Sequence, residues 1–307
     1  MKLIDLTHAI KHWFAENTCA KRFSDQTLWH RARTVIGHHY GLTPLDWVTH
    51  LHATHHQELS FSVDDFAWLL NHAPLATAPL SRLLGCAEFC GHVFSLNADT
   101  LDPRWETEGL VQGMHERLCH SPSVSGSLRM LDVGTGSGCI LISLLKLWPG
   151  AVGWGLDIAP HALQAACHNA QSLDVASRSQ WLHSDGLSVI DSWDKTPTFD
   201  VIVSNPPYID PADHLDEDVL CWDPPTALFA PNHGLALYQT WIPKMWEYLA
   251  PGGWLGLEIN CQHVNALGGV MSPFSWTWEI SVDTAGQQRY LWAFKPHDHG
   301  IVKAIPS

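Results

Sequence analysis

From residue 128 to residue 259 the chain alternates between short β-rich apolar runs and helical stretches, and this rhythm restricts the fold more than any other feature. Strands joined through helices lie parallel, because a parallel pair needs a long crossover, and the helices then cover both faces of the sheet. Strands covered on both faces read as continuous apolar runs. The pattern predicts strands over 128–133, 152–157, about 180–184, 199–204 and 254–259. It predicts helices over 139–147, 160–172 and 235–249, the last closed by Pro251-Gly252-Gly253. Two later runs, 275–282 and 289–294, suit a terminal hairpin.

Upstream the character differs. Residues 1–84 carry helical signals punctuated by Gly41, Pro44, Pro74 and Pro79, and Ser62-Val63-Asp64-Asp65 ahead of Phe66, Leu69 and Leu70 reads as a capped helix start. We expect a small helical substrate-recognition domain over 1–84, a linker or hairpin over 85–108, and the α/β domain over 109–307. A formal charge of −14 and the lack of a dense basic patch disfavour a direct nucleic-acid partner. No apolar run approaches the roughly twenty residues of a membrane span. Asp5 interrupts the place of a signal peptide's apolar stretch, so a cytoplasmic protein is expected, without a membrane partner. A monomer is expected as well. The eight cysteines include no Cys-x-x-Cys pair, which suits reduced thiols. His50, His52, His55 and His56 have spacings that can hold a metal, but no Cys or acidic ligand set accompanies them, and no metal is expected.

The chemistry concentrates at the carboxyl ends of the predicted strands. Asp132-Val133-Gly134-Thr135-Gly136-Ser137-Gly138 joins the first strand to the first helix, where alternate glycines allow a tight turn and close approach of a ligand. Its third glycine falls two residues after the second rather than three, which argues against a dinucleotide pyrophosphate cradle. Asp157 ends the second strand, where an acid grips ribose hydroxyls. Ribose recognition without a pyrophosphate site fits adenosine attached to something else, such as S-adenosylmethionine. Asp185-Gly186 follows the third strand, where an adenine amino group can be read. Asn205-Pro206-Pro207-Tyr208 closes the fourth: prolines stop the ladder and hold Asn205 extended at the sheet edge. An Asn amide, a proline carbonyl and a Tyr ring can together grip a planar amino or amide group.

Asp-Val-Gly-Thr-Gly-Ser-Gly followed by Ser-Asn-Pro-Pro-Tyr-Ile resembles class I S-adenosylmethionine-dependent amino-methyltransferases, and within them the HemK/PrmC family of peptide chain release factor glutamine N5-methyltransferases. The likeness covers about residues 79 to 294, including Pro103-Arg104, Glu106-Thr107-Glu108, Ala227-Leu228-Phe229 and Glu258-Ile259. It implies an α/β, Rossmann-like fold with a seven-stranded mixed sheet and a small N-terminal helical domain. It implies S-adenosylmethionine bound by Gly134, Thr135, Gly136, Ser137, Gly138, Asp157, Asp185, Gly186 and Asn205. It further implies methyl transfer to the amide nitrogen of a glutamine in the Gly-Gly-Gln loop of a release factor. Asn205, Pro206 and Tyr208 would be catalytic, with Pro207 and Arg104 also touching substrate. Glu106-Thr107-Glu108 would line the passage to the site, or serve as capping charge at a helix start. Asp102, Trp105, Asp223 and Asn260 depart from the family pattern. A rival reading, methylation of adenine N6 or guanine N2 in a flipped base, uses the same Asn-Pro-Pro-aromatic logic.

Overall fold

A computed structural model describes residue 34 and residues 78–121, 127–194, 196–215 and 217–297. The helical signals before residue 78 and the histidines from His50 to His56 lie outside the described residues. In chain order the elements are α1 (Leu80–Leu84), β1 (Cys86–Phe89), β2 (His92–Ser95), α2 (Trp105–His120), β3 (Arg129–Val133), α3 (Cys139–Leu147), β4 (Val152–Asp157), α4 (Pro160–Ser172), β5 (Ser179–His183), α5 (Ser188–Asp191) and β6 (Phe199–Ser204). They continue with α6 (Glu217–Trp222), α7 (Pro225–Leu228), α8 (Ala236–Tyr248), β7 (Leu249–Glu258), α9 (Val264–Met271), β8 (Thr277–Val282) and β9 (Gln288–Phe294). Helices α1 and α6 fall in one compact unit; Ala87–Asp216 and Asp223 onward form the other, which carries the main sheet.

That sheet has seven strands in the order β5-β4-β3-β6-β7-β9-β8. The first five are parallel, and β9 runs antiparallel to both neighbours, so the sheet is mixed as expected. From β3 the chain steps outward to β4 and β5, then returns to place β6 on the other side of β3. The carboxyl ends of β3 and β6 are therefore a topological switch point, where open α/β sheets leave a crevice. The Ser204 hydroxyl donates to the Val133 carbonyl at 2.5 Å and ties the two strands together there. Helix α3 reads Cys-Ile-Leu-Ile-Ser-Leu-Leu and is buried along that whole stretch. Each buried Leu or Ile there contributes about 1.5–3 kcal/mol of transfer free energy.

Two departures from the predicted elements have clear causes. β7 begins at Leu249 rather than 254, running through Pro251-Gly252-Gly253. A register shift against β6 between Phe199 and Val201 absorbs that stretch, and the Gly252 amide donates to the Lys295 carbonyl at 2.7 Å. The other departure is α2, most of which the sequence reading left unassigned. Its buried stripe of Thr107, Leu110, Val111, Met114 and Leu118 has helical spacing. Gly109 and Gly113 interrupt it, and each glycine disfavours a helix by about 1 kcal/mol. The reason for them lies on β9. A Cβ on Gly109 would stand 2.2 Å from the Tyr290 hydroxyl, and one on Gly113 would stand 2.5 Å from the Trp292 ring.

Trp292 is thus wedged between α2 and β7, where a Cβ on Gly256 would meet the same indole at 2.8 Å. Its Nε1 donates to Ser281 Oγ at 2.7 Å, and the Arg117 guanidinium lies 4.0 Å above the ring. Gly113→Val is expected to destabilise the protein by about 1–3 kcal/mol through overpacking. Urea denaturation checks this; a midpoint equal to or above wild type would show that α2 can move off the indole.

Candidate active site

The loop after β3 is held in an unusual backbone shape. Gly134, Gly136 and Gly138 have φ of 73°, 55° and 79°, a left-handed region that costs an L side chain about 1–2 kcal/mol. The Gly134 and Thr135 amides both donate to the Leu156 carbonyl at 2.8 and 2.9 Å, and the Gly136 amide reaches Asp157 Oδ2 at 2.8 Å. Asp157 Oδ1 accepts the Ala159 amide at 2.9 Å, just before α4. One carboxylate therefore clamps the glycine loop to the next strand end, and each oxygen keeps further acceptor capacity. Burial pushes the Asp157 carboxyl up, and the Ala159, Gly136 and Ile158 amides pull it back.

Beneath the loop, Asp132 is fully buried and accepts the Thr135 hydroxyl at 2.7 Å. Burial pushes its carboxyl up to about 7, with the Thr135 hydrogen bond opposing. The folded protein thus holds this proton more tightly than the unfolded chain, whose Asp titrates near about 3.9. Stability from this group is full below that value and is lost as pH rises toward about 7. Asp132→Asn is expected to flatten the slope: the variant's melting temperature relative to wild type should climb between about pH 4 and pH 7. Parallel profiles in differential scanning calorimetry would contradict it.

The loop opens on a cavity of about 290 Å³ at the switch point. Gly134, Thr135, Gly136, Ser137, Asp157, Asp185 and Gly186 line it, and so do Asn205, Pro207 and Arg104. Gly138, Pro206 and Tyr208 are not on its wall. A Cβ on Gly136 would meet nothing within 4 Å, so this glycine faces open space, whereas one on Gly138 would press on Ile142, Trp181 and Ala166. The wall also includes Trp241, which the sequence reading missed. A Cβ on Gly186 would stand 2.4 Å from its Nε1, so only glycine lets this indole lie over the Asp185 strand end. An open glycine cradle, two acids and an aromatic face fit a nucleoside.

Opposite stands the segment after β6. Asn205 is partly buried, and its Nδ2 donates to Thr107 Oγ1 at 3.2 Å. The Tyr208 hydroxyl donates to Glu258 Oε1 at 3.2 Å. Burial and the Glu258 charge push its phenol up. Ile209 then pairs with Phe229 in an isolated bridge, which brings Phe229 to the wall. Of Glu106-Thr107-Glu108 only Thr107 lines the cavity, while Glu108 Oε1 accepts the Cys90 amide at 2.7 Å in the β1–β2 turn. All three sit in the first turn of α2, where acids favour the helix dipole.

Three of the four departures from the family pattern find local partners. Buried Asp223 accepts from Arg104 Nη2 at 2.5 Å and from the Asp102 amide at 3.4 Å. Asn260 Oδ1 accepts the Gln262 amide at 3.0 Å. Trp105 stands 58 % exposed at the start of α2, and nothing in the structure explains it.

A glycine loop, an acid and an Asn-Pro-Pro-Tyr segment meeting at the switch point of this strand order define a class I methyltransferase. Residues 99–220 match the model of the methyltransferase small domain. Release factor glutamine methyltransferase of Enterococcus faecalis is 35 % identical over 254 residues, 81 % of this chain and 86 % of the relative. That of Rhodospirillum rubrum is 38 % identical over 218 residues, 70 % of this chain. The chain belongs to the release factor glutamine methyltransferase family. It spans 64 % of the Rhodospirillum rubrum relative's length and 61 % of that from Bradyrhizobium diazoefficiens. Among solved structures, the hMettl16 catalytic domain bound to the MAT2A 3′UTR hairpin 1 shares the fold, with TM-score 0.55, 15 % identity, and coverage of 76 % of this chain and 85 % of that one. Among the described residues no helix is long and apolar enough to cross a membrane.

Proposed function

We propose that this chain methylates the side-chain amide nitrogen of the glutamine in the Gly-Gly-Gln loop of a peptide chain release factor, acting in the cytoplasm as a single chain. The observation that carries this reading is the Asn205 carboxamide on the wall of the cavity that the glycine loop and Asp157 also line. S-adenosylmethionine, when bound, supplies an electrophilic methyl group on a positively charged sulfur. Asp157 would accept hydrogen bonds from its ribose hydroxyls, Asp185 would read its adenine, and Gly134 to Ser137 would cradle the rest. Residues 1–84 would recognise the release factor, and Arg104 would contact it from the cavity wall.

An amide nitrogen is a weak nucleophile because its lone pair is shared with the carbonyl. Asn205 Oδ1 and the Pro206 carbonyl would accept its two N–H groups, raising charge on nitrogen and aiming it at the methyl. Tyr208 would pack on the amide plane. The departing proton needs no base beforehand and leaves after transfer. Alignment does most of the work, and well-oriented reactants gain about 7–11 kcal/mol from it. A neutral carboxamide suits the position better than a carboxylate. An anion would stabilise the sulfonium of the ground state more than the transition state, where that charge is fading.

The test offers labelled S-adenosylmethionine with release factor, release factor carrying Gln→Ala in its Gly-Gly-Gln loop, DNA and RNA. Label on the intact release factor alone supports the reading. Label on nucleic acid would overturn it in favour of base methylation, and label nowhere would leave a binding module.

A further inference from the structure

One buried carboxylate touches both ends of the Asn-Pro-Pro-Tyr segment, directly at Tyr208 and through Thr107 at Asn205. Glu258, on β7, is 2 % exposed, and Leu257 beside it is register partner to Ser204, so Glu258 sits level with Asn205 on the adjacent strand. Its Oε2 accepts the Thr107 hydroxyl at 2.7 Å, and its Oε1 accepts the Tyr208 hydroxyl at 3.2 Å. Thr107 in turn accepts Asn205 Nδ2 at 3.2 Å.

Proton counting gives the chain a direction. An ionised carboxylate only accepts, and a threonine hydroxyl carries a single proton. Once Thr107 gives that proton to Glu258 it can only accept from Asn205, so the carboxamide must turn its NH₂ toward Thr107. Oδ1 then points the other way. A neutral partner at 258 permits the reverse: it can donate to Thr107, which is then free to donate to Asn205 Oδ1. Burial pushes the Glu258 carboxyl up, while the Thr107 hydroxyl, the Arg289 charge and the Tyr208 hydroxyl pull it back and Glu106 adds a small upward push.

We infer that Glu258, acting through Thr107, is the positioning residue that decides which side of the Asn205 carboxamide meets the substrate, leaving Oδ1 as the acceptor. The role in transfer rests on the function proposed above, whereas the orientation of Asn205 does not. Glu258 is not on the cavity wall and acts through Thr107 on Asn205, so its effect belongs in turnover rather than in cofactor affinity.

Glu258→Gln and Thr107→Val are expected to lower kcat on release factor by about 10²-fold, the size of a misplaced reacting group. Calorimetric affinity for S-adenosylmethionine should stay within about threefold of wild type, and Thr107→Ser, which keeps the hydroxyl, should restore most of kcat. A second measurement follows the Asn205 side-chain amide by NMR, assigned by its loss in Asn205→Ala. One of its protons should be protected from exchange in wild type and Thr107→Ser, and exchange about tenfold faster in Thr107→Val. Wild-type kcat in folded Thr107→Val, or an equally unprotected amide in all proteins, would overturn the inference. Wild type inactive on release factor but with a protected Asn205 amide would overturn the proposed reaction and leave the orientation standing.

Discussion

Asn205→Ala is expected to fold, to bind S-adenosylmethionine within about threefold of wild type, and to lose methyl transfer by about 10³-fold or more. That size is typical of removing a preorganised group aimed at developing charge. Asn205 follows the last residue of β6, and the two prolines after it have no amide protons to lose, so truncation disturbs little of the ladder. The carboxamide donates to Thr107, and truncation leaves that hydroxyl with its bond to Glu258. What vanishes is the acceptor that would orient the glutamine amide. Single-turnover assays with saturating cofactor isolate this step. Transfer within about tenfold of wild type would refute the role given to Asn205.

Asp157→Ala should act on the other partner. Its carboxylate holds the Gly136 and Ala159 amides at 2.8 and 2.9 Å and keeps acceptor positions for a ribose. Removing it frees a loop whose glycines sit at φ between 55° and 79° and deletes the hydrogen bonds proposed for the nucleoside. Hydrogen bonds to a charged group are worth about 1.5–3 kcal/mol, so cofactor affinity should fall by about 10²-fold or more. Isothermal titration reads this directly. Should affinity stay within about threefold, Asp157 would be a loop clamp and nothing more. Asp157→Asn separates the roles, since its amide oxygen can keep only part of the acceptor set.

Most of the sheet was legible because strands covered on both faces leave continuous apolar runs. The bounds expected for α3, β4 and β6 coincide with those observed. The glycine loop was legible for a related reason: its residue types are demanded by local backbone geometry. Helix α2 was harder to read, because Gly109 and Gly113 make sense only beside Tyr290 and Trp292, about 180 residues away in sequence. The early start of β7 was hidden by a Pro-Gly-Gly run that ordinarily ends an element and here lies in a register shift. At the site, the residues ending strands were visible because each interrupts an apolar run. Thr107 and Trp241 carry no such mark. Thr107 and Glu258 meet across 151 positions of sequence, a separation no spacing rule spans.

The indole of Trp292 acts as a spacer. It keeps α2 and β7 a fixed distance apart, and those are the two elements that supply the hydroxyl and the carboxylate behind Asn205. Trimming that ring would let the helix settle inward and slacken the alignment of the carboxamide. A lesion on the terminal hairpin, remote from any bound molecule, would then show itself as slow turnover in a protein that still melts cooperatively.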